Sequence, residues 1–155
     1  MKQKETSEKS GPAFLKVRTK NEFPDWASKS ELVSFLHHTM KPFNDSMIDI
    51  QRALELALDE SGKGFVMLLK YQEKLGGALV MLETGMKGFI PENLLLFVSV
   101  SPDLRGLGLG KKLIERSLQE CKGEVKLHVE YENPAKRLYE RIGFTSKYAE
   151  MRYTV

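Results

Sequence analysis

The 155-residue chain contains a single cysteine, Cys121, and no apolar run long enough to cross a lipid bilayer. One cysteine excludes an internal disulfide bond and a thiolate zinc site, so we expect a reducing, cytoplasmic setting. The first residues, MKQKETSEKSGP, lack the apolar stretch of a secretory signal peptide. The formal net charge is only +3, and the basic residues interleave with acids. We therefore expect neither a membrane nor nucleic acid as a partner.

The length fits one domain, and we predict a flexible tail over residues 1–12 followed by a single domain over 13–155. AFLKVRT (13–19) has the alternation of a first strand, and SELVSFLHHTM predicts a helix with Ser30 as its N-cap. A second helix is expected from about Ser46. GFVMLLKY and LGGALVMLE then predict an antiparallel hairpin.

The second half of the chain alternates strands with helices. NLLLFVSV is apolar at almost every position, as in a central strand covered on both faces. A helix, the strand EVKLHVEY, the short helix in NPAKRLYERIGF with Gly143 as C-cap, and a last strand AEMRYTV follow. This order predicts a mixed α/β (α+β) fold, with one mixed sheet, a right-handed crossover and helices on both faces.

Between the central strand and its helix lies SPDLRGLGLGKK (101–112). A helix that opens directly after a strand leaves its first amide N–H groups without partners, and the helix dipole adds partial positive charge there. Glycines remove the Cβ atoms that would hold a phosphate away from the main chain. The segment therefore predicts an anion site, favouring a diphosphate, with Arg105 and Lys111 supplying full charges.

Three phosphate-binding patterns compete for this segment. A P-loop fails because Lys112 follows Gly110-Lys111, where serine or threonine is required, and because position 105 is arginine. A dinucleotide fingerprint fails because position 111 is lysine. The segment resembles the acetyl-CoA pyrophosphate loop, R/Q-x-x-G-x-G/A, of the GNAT superfamily of N-acetyltransferases. NPAKRLYERIGF resembles the later motif of the same superfamily, N-x-x-A-x-x-L-Y-x-x-x-G-F, and it follows the next strand.

The resemblance implies a GNAT fold with a single six- to seven-stranded mixed sheet. It also implies an N-acetyltransferase that moves an acetyl group from acetyl-CoA to a primary amine, by direct transfer in a ternary complex and without a metal. The acceptor, a small molecule or a protein amine, is left open. Two alternatives stand beside this function: a transferase of a longer acyl group, and a catalytically silent acyl-CoA-binding or regulatory module.

The resemblance also implies site residues. Tyr139 is expected to be the general acid, and the main-chain amide of Val98 the donor to the oxyanion. The expected cofactor-binding residues are Val98, Val100, Arg105, Gly106, Leu107, Gly108, Leu109, Gly110, Lys111, Asn133 and Tyr139.

Two features depart from the family pattern. The family asparagine falls one residue earlier, at Glu132, so Asn133 either fills that role or only caps the helix, with Pro134 at its first position. No acid lies within LLLFVSV to serve as the general base. Glu92, just upstream, is a candidate, and the other carboxylates considered are Glu83, Glu130 and Glu132. A homodimer, formed by extending the sheet through the last apolar strand, is also left open.

Overall fold

The computed structural model describes residues 11–155, so most of the predicted flexible tail lies outside the described residues. Its elements, in chain order, are β1 (Ala13–Val17), α1 (Lys29–Thr39), α2 (Met47–Ala57), β2 (Gly64–Tyr71), β3 (Lys74–Glu83), β4 (Asn93–Val100), a 3-10 turn (Pro102–Leu104), α3 (Leu109–Leu118), β5 (Val125–Leu127) and α4 (Ala135–Ile142).

The strands form one mixed sheet in the order β1-β2-β3-β4-β5. The first four strands pair antiparallel in succession, whereas β5 runs parallel to β4 because α3 carries the chain back across the sheet. Alternate residues of β2 and β3 pack against α1 and α2 on one face and against α3 on the other. The predicted mixed sheet with helices on both faces is confirmed.

Local sequence explains how the first half of the chain is connected. Gln72 and Glu73 have φ of 49° and 62°, so a two-residue turn joins β2 to β3. The helix α2 begins near Ser46 as predicted, and the Ser46 side chain caps it by accepting the Asp49 N–H at 3.1 Å. The N-cap of α1 is Ser28, and the prediction of Ser30 is wrong. Only Ser28 has a glutamate three residues later, and the two form a reciprocal capping box.

The far side of the sheet differs from the prediction. The sheet has five strands where six to seven were expected. In the part of the chain that the structure describes, β5 ends at Leu127 although the pattern extended to Tyr131, and AEMRYTV forms no strand. Alternation alone does not make a strand, because its main-chain groups need a neighbouring strand to pair with. For that reason the prediction of a strand in AEMRYTV was wrong, and the predicted strand in EVKLHVEY is present but shorter than expected.

Candidate active site

The strands β4 and β5, at one edge of the sheet, pair over only part of the length of β4. They pair only over Asn93–Leu95 and Val125–Leu127. The pairing of β4 with β3 skips Leu96, which marks a bulge in β4. This bulge lies where the pairing of β4 with β5 ends. From Leu96 to Val100, β4 has no strand partner on the β5 side among the described residues, so main-chain groups of Val98 and Val100 lie beside an open slot.

The glycine segment leads from the end of β4 into α3. Gly106 and Gly108 have φ of +81° and +75°, a left-handed conformation that glycine adopts without steric cost. A Cβ built on either glycine would meet no atom within 4 Å, so the space beside both is open. Leu107, between them, is 55% exposed. The loop thus forms a main-chain cradle with room for a ligand.

The first turn of α3 supplies free donors. Gly108 is the N-cap, and the first helical hydrogen bond runs from the Lys112 N–H to the Gly108 carbonyl at 3.2 Å. Within the described residues the N–H groups of Leu109, Gly110 and Lys111 have no main-chain acceptor. The Lys111 side chain is exposed and lies 3.8 Å from Glu115, too far for a strong ion pair. The turn fits a diphosphate through free amides, the helix dipole and a nearby cation.

Arg105 holds the start of this loop. Its Nη2 donates to the Thr39 carbonyl at 2.8 Å and its Nε to the Val100 carbonyl at 3.4 Å. The side chain therefore links β4, the glycine loop and the end of α1, where a cation also suits the helix dipole. Sequence reasoning identified Arg105 as a charge but missed its link to Thr39, which lies 66 positions away.

Gly110 marks the place where β4, α3 and α4 meet. A Cβ on Gly110 would lie 3.5 Å from Leu138 Cδ2 and 3.7 Å from Val100 Cγ2, at ordinary contact distance. Val98, Leu138 and Tyr139 all pack against the apolar cluster on the α3 face of the sheet. The fold thus brings the open part of β4, the glycine loop and the predicted general acid to one side of the sheet.

Tyr139 is half-buried on α4, and desolvation raises the pKa of its phenol to about 12. Its ring packs edge-on against Phe144, with centroids 6.0 Å apart. Within the described residues its hydroxyl has no hydrogen-bond partner. The phenol is therefore protonated at neutral pH and available to donate its proton.

Asn133 acts as a local cap. Its Oδ1 accepts the Ala135 N–H at 3.0 Å. The helix begins at Ala135 with Pro134 as the N-cap residue, so the expectation that Pro134 would occupy the first helical position is wrong. The side chain of the neighbouring Glu132 is exposed. Asn133 therefore makes a capping hydrogen bond to the first helical residue without being the N-cap residue itself, and its role toward a cofactor stays a prediction.

Glu92 lies at the other end of β4 from the glycine loop. It precedes Val98 by six residues, or about 20 Å of extended chain at roughly 3.3 Å per residue. Its carboxylate accepts the Glu124 N–H at 2.7 Å, and this hydrogen bond is the main cause of its lowered pKa. Glu83 pairs with Asn93 in the register of β3 and β4, near that same end. The structure does not bring either carboxylate together with Val98 and Tyr139.

The Cys121 thiol is not placed to act as a nucleophile. Burial raises the pKa of the Cys121 thiol to about 11, and its Sγ donates to the Ser117 carbonyl at 3.5 Å, so it stays a thiol at neutral pH. Among residues 11–155 no group of three or more His, Cys, Asp or Glu side chains could hold a metal ion. The same residues include no helix that is long and apolar enough to span a bilayer.

A groove of about 620 Å³ lies between α1 and the turn joining β2 to β3. Trp26, Phe35 and Leu75 give it apolar walls, and Thr39, whose carbonyl binds Arg105, also lines it. The groove therefore adjoins the start of the glycine loop. Sequence reasoning missed it because its walls come from three separate parts of the chain.

The site thus combines a mixed sheet that opens between two parallel strands with a glycine loop that leads into a helix with free amides. The model of the Acetyltransferase (GNAT) family matches residues 21–144. The chain belongs to that family, and the resemblance predicted from its two motifs is confirmed.

Relatives agree with this assignment. The chain is 34% identical over 85 residues to the "5-NmdU N-acetyltransferase" of Pseudomonas phage PaMx11, a match that covers 54% of this chain and 59% of that protein. It resembles a possible acetyltransferase from Clostridium difficile 630 with a TM-score of 0.68 and 19% identity, covering 94% of this chain and 99% of that one.

An aminoglycoside acetyltransferase, meta-AAC0020, from an uncultured soil metagenomic sample was solved in complex with sisomicin. It matches with a TM-score of 0.63 and 16% identity over 93% of this chain and 96% of that chain. At such identities the likeness of the two structures establishes the fold alone.

Proposed function

We propose that the protein transfers an acetyl group from acetyl-CoA to a primary amine, directly and within a ternary complex. The observation that carries this proposal is the set of free amides at Leu109, Gly110 and Lys111, which open beside the unobstructed main chain of Gly106 and Gly108. No side chain of the described protein occupies that cradle, and its geometry suits a diphosphate.

The residues that would hold acetyl-CoA follow from this arrangement. The diphosphate would lie on the first turn of α3, with Lys111 and Arg105 nearby. The amide-containing arm would pair with the open part of β4 at Val98 and Val100, as an added strand does. Acetyl-CoA supplies the acetyl group in an activated thioester. Asn133, at the start of α4, would complete the cofactor side.

The chain's own groups would then serve the reaction. The Val98 amide would donate to the oxyanion as negative charge develops. The Tyr139 phenol, protonated because burial raises its pKa to about 12, would give its proton to the departing thiolate. The attacking amine must first lose a proton, since an alkyl ammonium has a pKa of about 10.4. We assign no residue to that step.

The acceptor is proposed as an amine-bearing molecule, and 5-NmdU is the first one to test. The phage relative named for acetylating 5-NmdU shares 34% identity over 85 residues. An aminoglycoside such as sisomicin is the second, because it is bound in a structure of the same fold. A lysine-containing peptide represents the protein amines.

The test has two stages. Calorimetry with acetyl-CoA comes first, and the absence of binding at high concentration would refute the proposal. Release of free CoA is then measured with a thiol reagent for 5-NmdU, sisomicin and the peptide, and the acetylated product is identified by mass. Turnover with at least one amine is expected. Faster turnover with butyryl-CoA than with acetyl-CoA would instead indicate a transferase of longer acyl groups.

A catalytically silent acyl-CoA-binding module is the second candidate. One observation favours it: β4 offers no carboxylate or histidine between Leu94 and Val100, and the Glu92 carboxylate is bound to the Glu124 amide. This module would bind acetyl-CoA with no release of CoA for any amine. The two stages of the test therefore separate the two functions.

A further inference from the structure

The segment 145–155, which follows α4, is exposed at every residue and forms neither helix nor strand. Four of its large apolar side chains, at Tyr148, Met151, Tyr153 and Val155, are between 86% and 114% exposed. A run of such side chains left in water is unusual for a folded protein and marks an interaction surface.

The segment has the pattern of an amphipathic strand. Ala149, Met151, Tyr153 and Val155 alternate with Glu150, Arg152 and Thr154. The Arg152 Nε lies 2.5 Å from Glu150 Oε1. Residues two apart face the same side of an extended chain, so in a strand Glu150 and Arg152 would share one polar face and the alternate positions would form an apolar face.

The sheet lacks a strand at its β5 edge. Only β4 pairs with β5, and no strand pairs with its outer edge in the described part of the chain. The alternation continues past Leu127, with Val129 half-buried and both His128 and Glu130 exposed. An open edge of this kind is a template for another strand.

The apolar surface beside that edge is also incompletely covered. Each of α1, α2 and α3 buries at least three side chains, whereas no residue of β5 or α4 is fully buried. Leu127, Leu138 and Ile142 stay partly exposed at the margin of the apolar cluster. A strand with one apolar face would cover them.

The segment does not fill this place in its own chain. Phe144 N–H bonds to the Tyr139 carbonyl at 3.0 Å, and beyond this point none of the segment's main-chain groups bonds to another described element. The ion pair with Glu150, within the segment itself, is the main cause of the raised pKa of Arg152, and the charge of Asp45, in the loop between α1 and α2, adds a smaller effect.

We propose that two copies of the chain exchange these segments. Residues 148–155 of each copy add as a strand to the outer edge of β5 in the other, with the apolar face toward α4. The exchange is reciprocal, so it closes as a twofold dimer. Covering one Tyr153 side chain removes roughly 150–250 Å² of surface from water. Met151, Tyr153 and Val155 of the two copies, six side chains together, would bury on the order of 1,000 Å², the lower limit for a stable interface. The slot between β4 and β5 stays open, so the proposal does not depend on acetyl transfer.

Light scattering after gel filtration tests the dimer. The full chain is expected at twice its mass of 17.7 kDa. Met151→Glu combined with Tyr153→Glu should give the monomer, because charges would enter the apolar contact. Glu150→Gln combined with Arg152→Gln alters the polar face of the same segment and should leave the dimer intact. A monomeric wild type, or a dimer that survives the Met151 and Tyr153 changes with normal circular dichroism, would overturn the proposal.

Cross-linking tests the exchange itself. In a Cys121→Ser background, Val129→Cys is combined in turn with Ala149→Cys, Met151→Cys and Tyr153→Cys, to allow for the register. After oxidation, at least one pairing should give a disulfide-linked band at the dimer mass. Cross-links only at the monomer mass would place the segment on its own β5. That outcome, or no cross-link at the dimer mass in any pairing, would overturn the exchange.

Discussion

Gly62 and Gly108 have nearly the same left-handed φ, +74° and +75°, and a Cβ on either would meet no atom within 4 Å. Gly62 lies in the turn before β2, whereas Gly108 is the N-cap of α3. Conformational strain on substitution is therefore matched at the two positions, and only Gly108 lies in the proposed phosphate cradle.

Gly108→Ala should weaken acetyl-CoA binding about tenfold or more, because the added methyl group enters the space that the diphosphate would occupy. Gly62→Ala should leave binding unchanged. Both variants should lose about 1 kcal/mol in free energy of unfolding, since alanine is strained in the left-handed region. Calorimetric titration and denaturant unfolding measure the two effects. Equal binding by the two variants would argue against the cradle.

Arg105→Lys keeps the charge but should weaken acetyl-CoA binding about tenfold, because an ammonium lacks the planar fork that bonds to two separate carbonyls. The turnover number at saturating acetyl-CoA should change little, since the Arg105 side chain bonds to the Thr39 and Val100 carbonyls and makes no hydrogen bond to Tyr139. Arg116→Lys, on the same helix as the free amides but paired with Glu120, is the matched control. A Kd for Arg105→Lys within twofold of wild type would show that charge alone suffices.

The features predicted correctly depend on short-range patterns. Four consecutive strands, four helices, the start of α2 near Ser46 and the glycine loop each follow from residues that are close in sequence. The relative position of the two motifs is also predictable, because a strand–helix–strand unit places its loop and the following helix at the same end of the sheet. Val98, Gly108 and Tyr139 could therefore be predicted to lie on one side of the sheet, and their sharing of one active site stays a prediction.

What the sequence could not predict depends on distant partners. The hydrogen bond from Arg105 to Thr39 spans 66 positions and leaves no local signal. The length of β5 and the secondary structure of residues 145–155 depend on whether a neighbouring strand is present. The alternation of apolar and polar residues does not indicate whether such a strand exists. Glu92 appeared a candidate base from its place in the sequence, yet the direction of β4 carries it away from the loop.

Glu92→Gln should lower the melting temperature at neutral pH, because the charged carboxylate accepts the Glu124 N–H and its pKa is lowered from an ordinary value of 4.5. A lowered pKa stabilises the fold above that ordinary value, and the benefit is lost as pH falls through the folded-state pKa. The difference from wild type should therefore shrink as the solution is acidified below about pH 4.5. Melting curves across pH measure it.

The turnover of Glu92→Gln should match that of wild type, since the carboxylate lies about 20 Å of extended chain from Val98. Glu124→Gln is the control, because it changes a neighbouring charge while keeping the main-chain donor. A large fall in turnover for Glu92→Gln alone, with an altered acidic limb in the pH profile, would instead make Glu92 the base.

Tyr139→Phe removes the proposed general acid and nothing that the fold needs, because the hydroxyl has no partner among the described residues. The turnover number should fall about 100-fold, which is typical when a positioned acid is removed. The Kd for acetyl-CoA should change less than about twofold, because the diphosphate cradle is untouched. Steady-state rates and calorimetry with the same preparation measure both quantities.

The wild-type profile against pH bears on the same assignment. Burial raises the pKa of Tyr139 to about 12, so the phenol keeps its proton throughout the usual assay range. Loss of that proton should therefore not lower turnover below about pH 11. Tyr131→Phe is the matched control, since it removes the same oxygen atom from a tyrosine that is 85% exposed and is not among the proposed site residues. Turnover of Tyr139→Phe within threefold of wild type, or equal losses in the two variants, would remove Tyr139 from the mechanism while leaving the acetyl-CoA cradle in place.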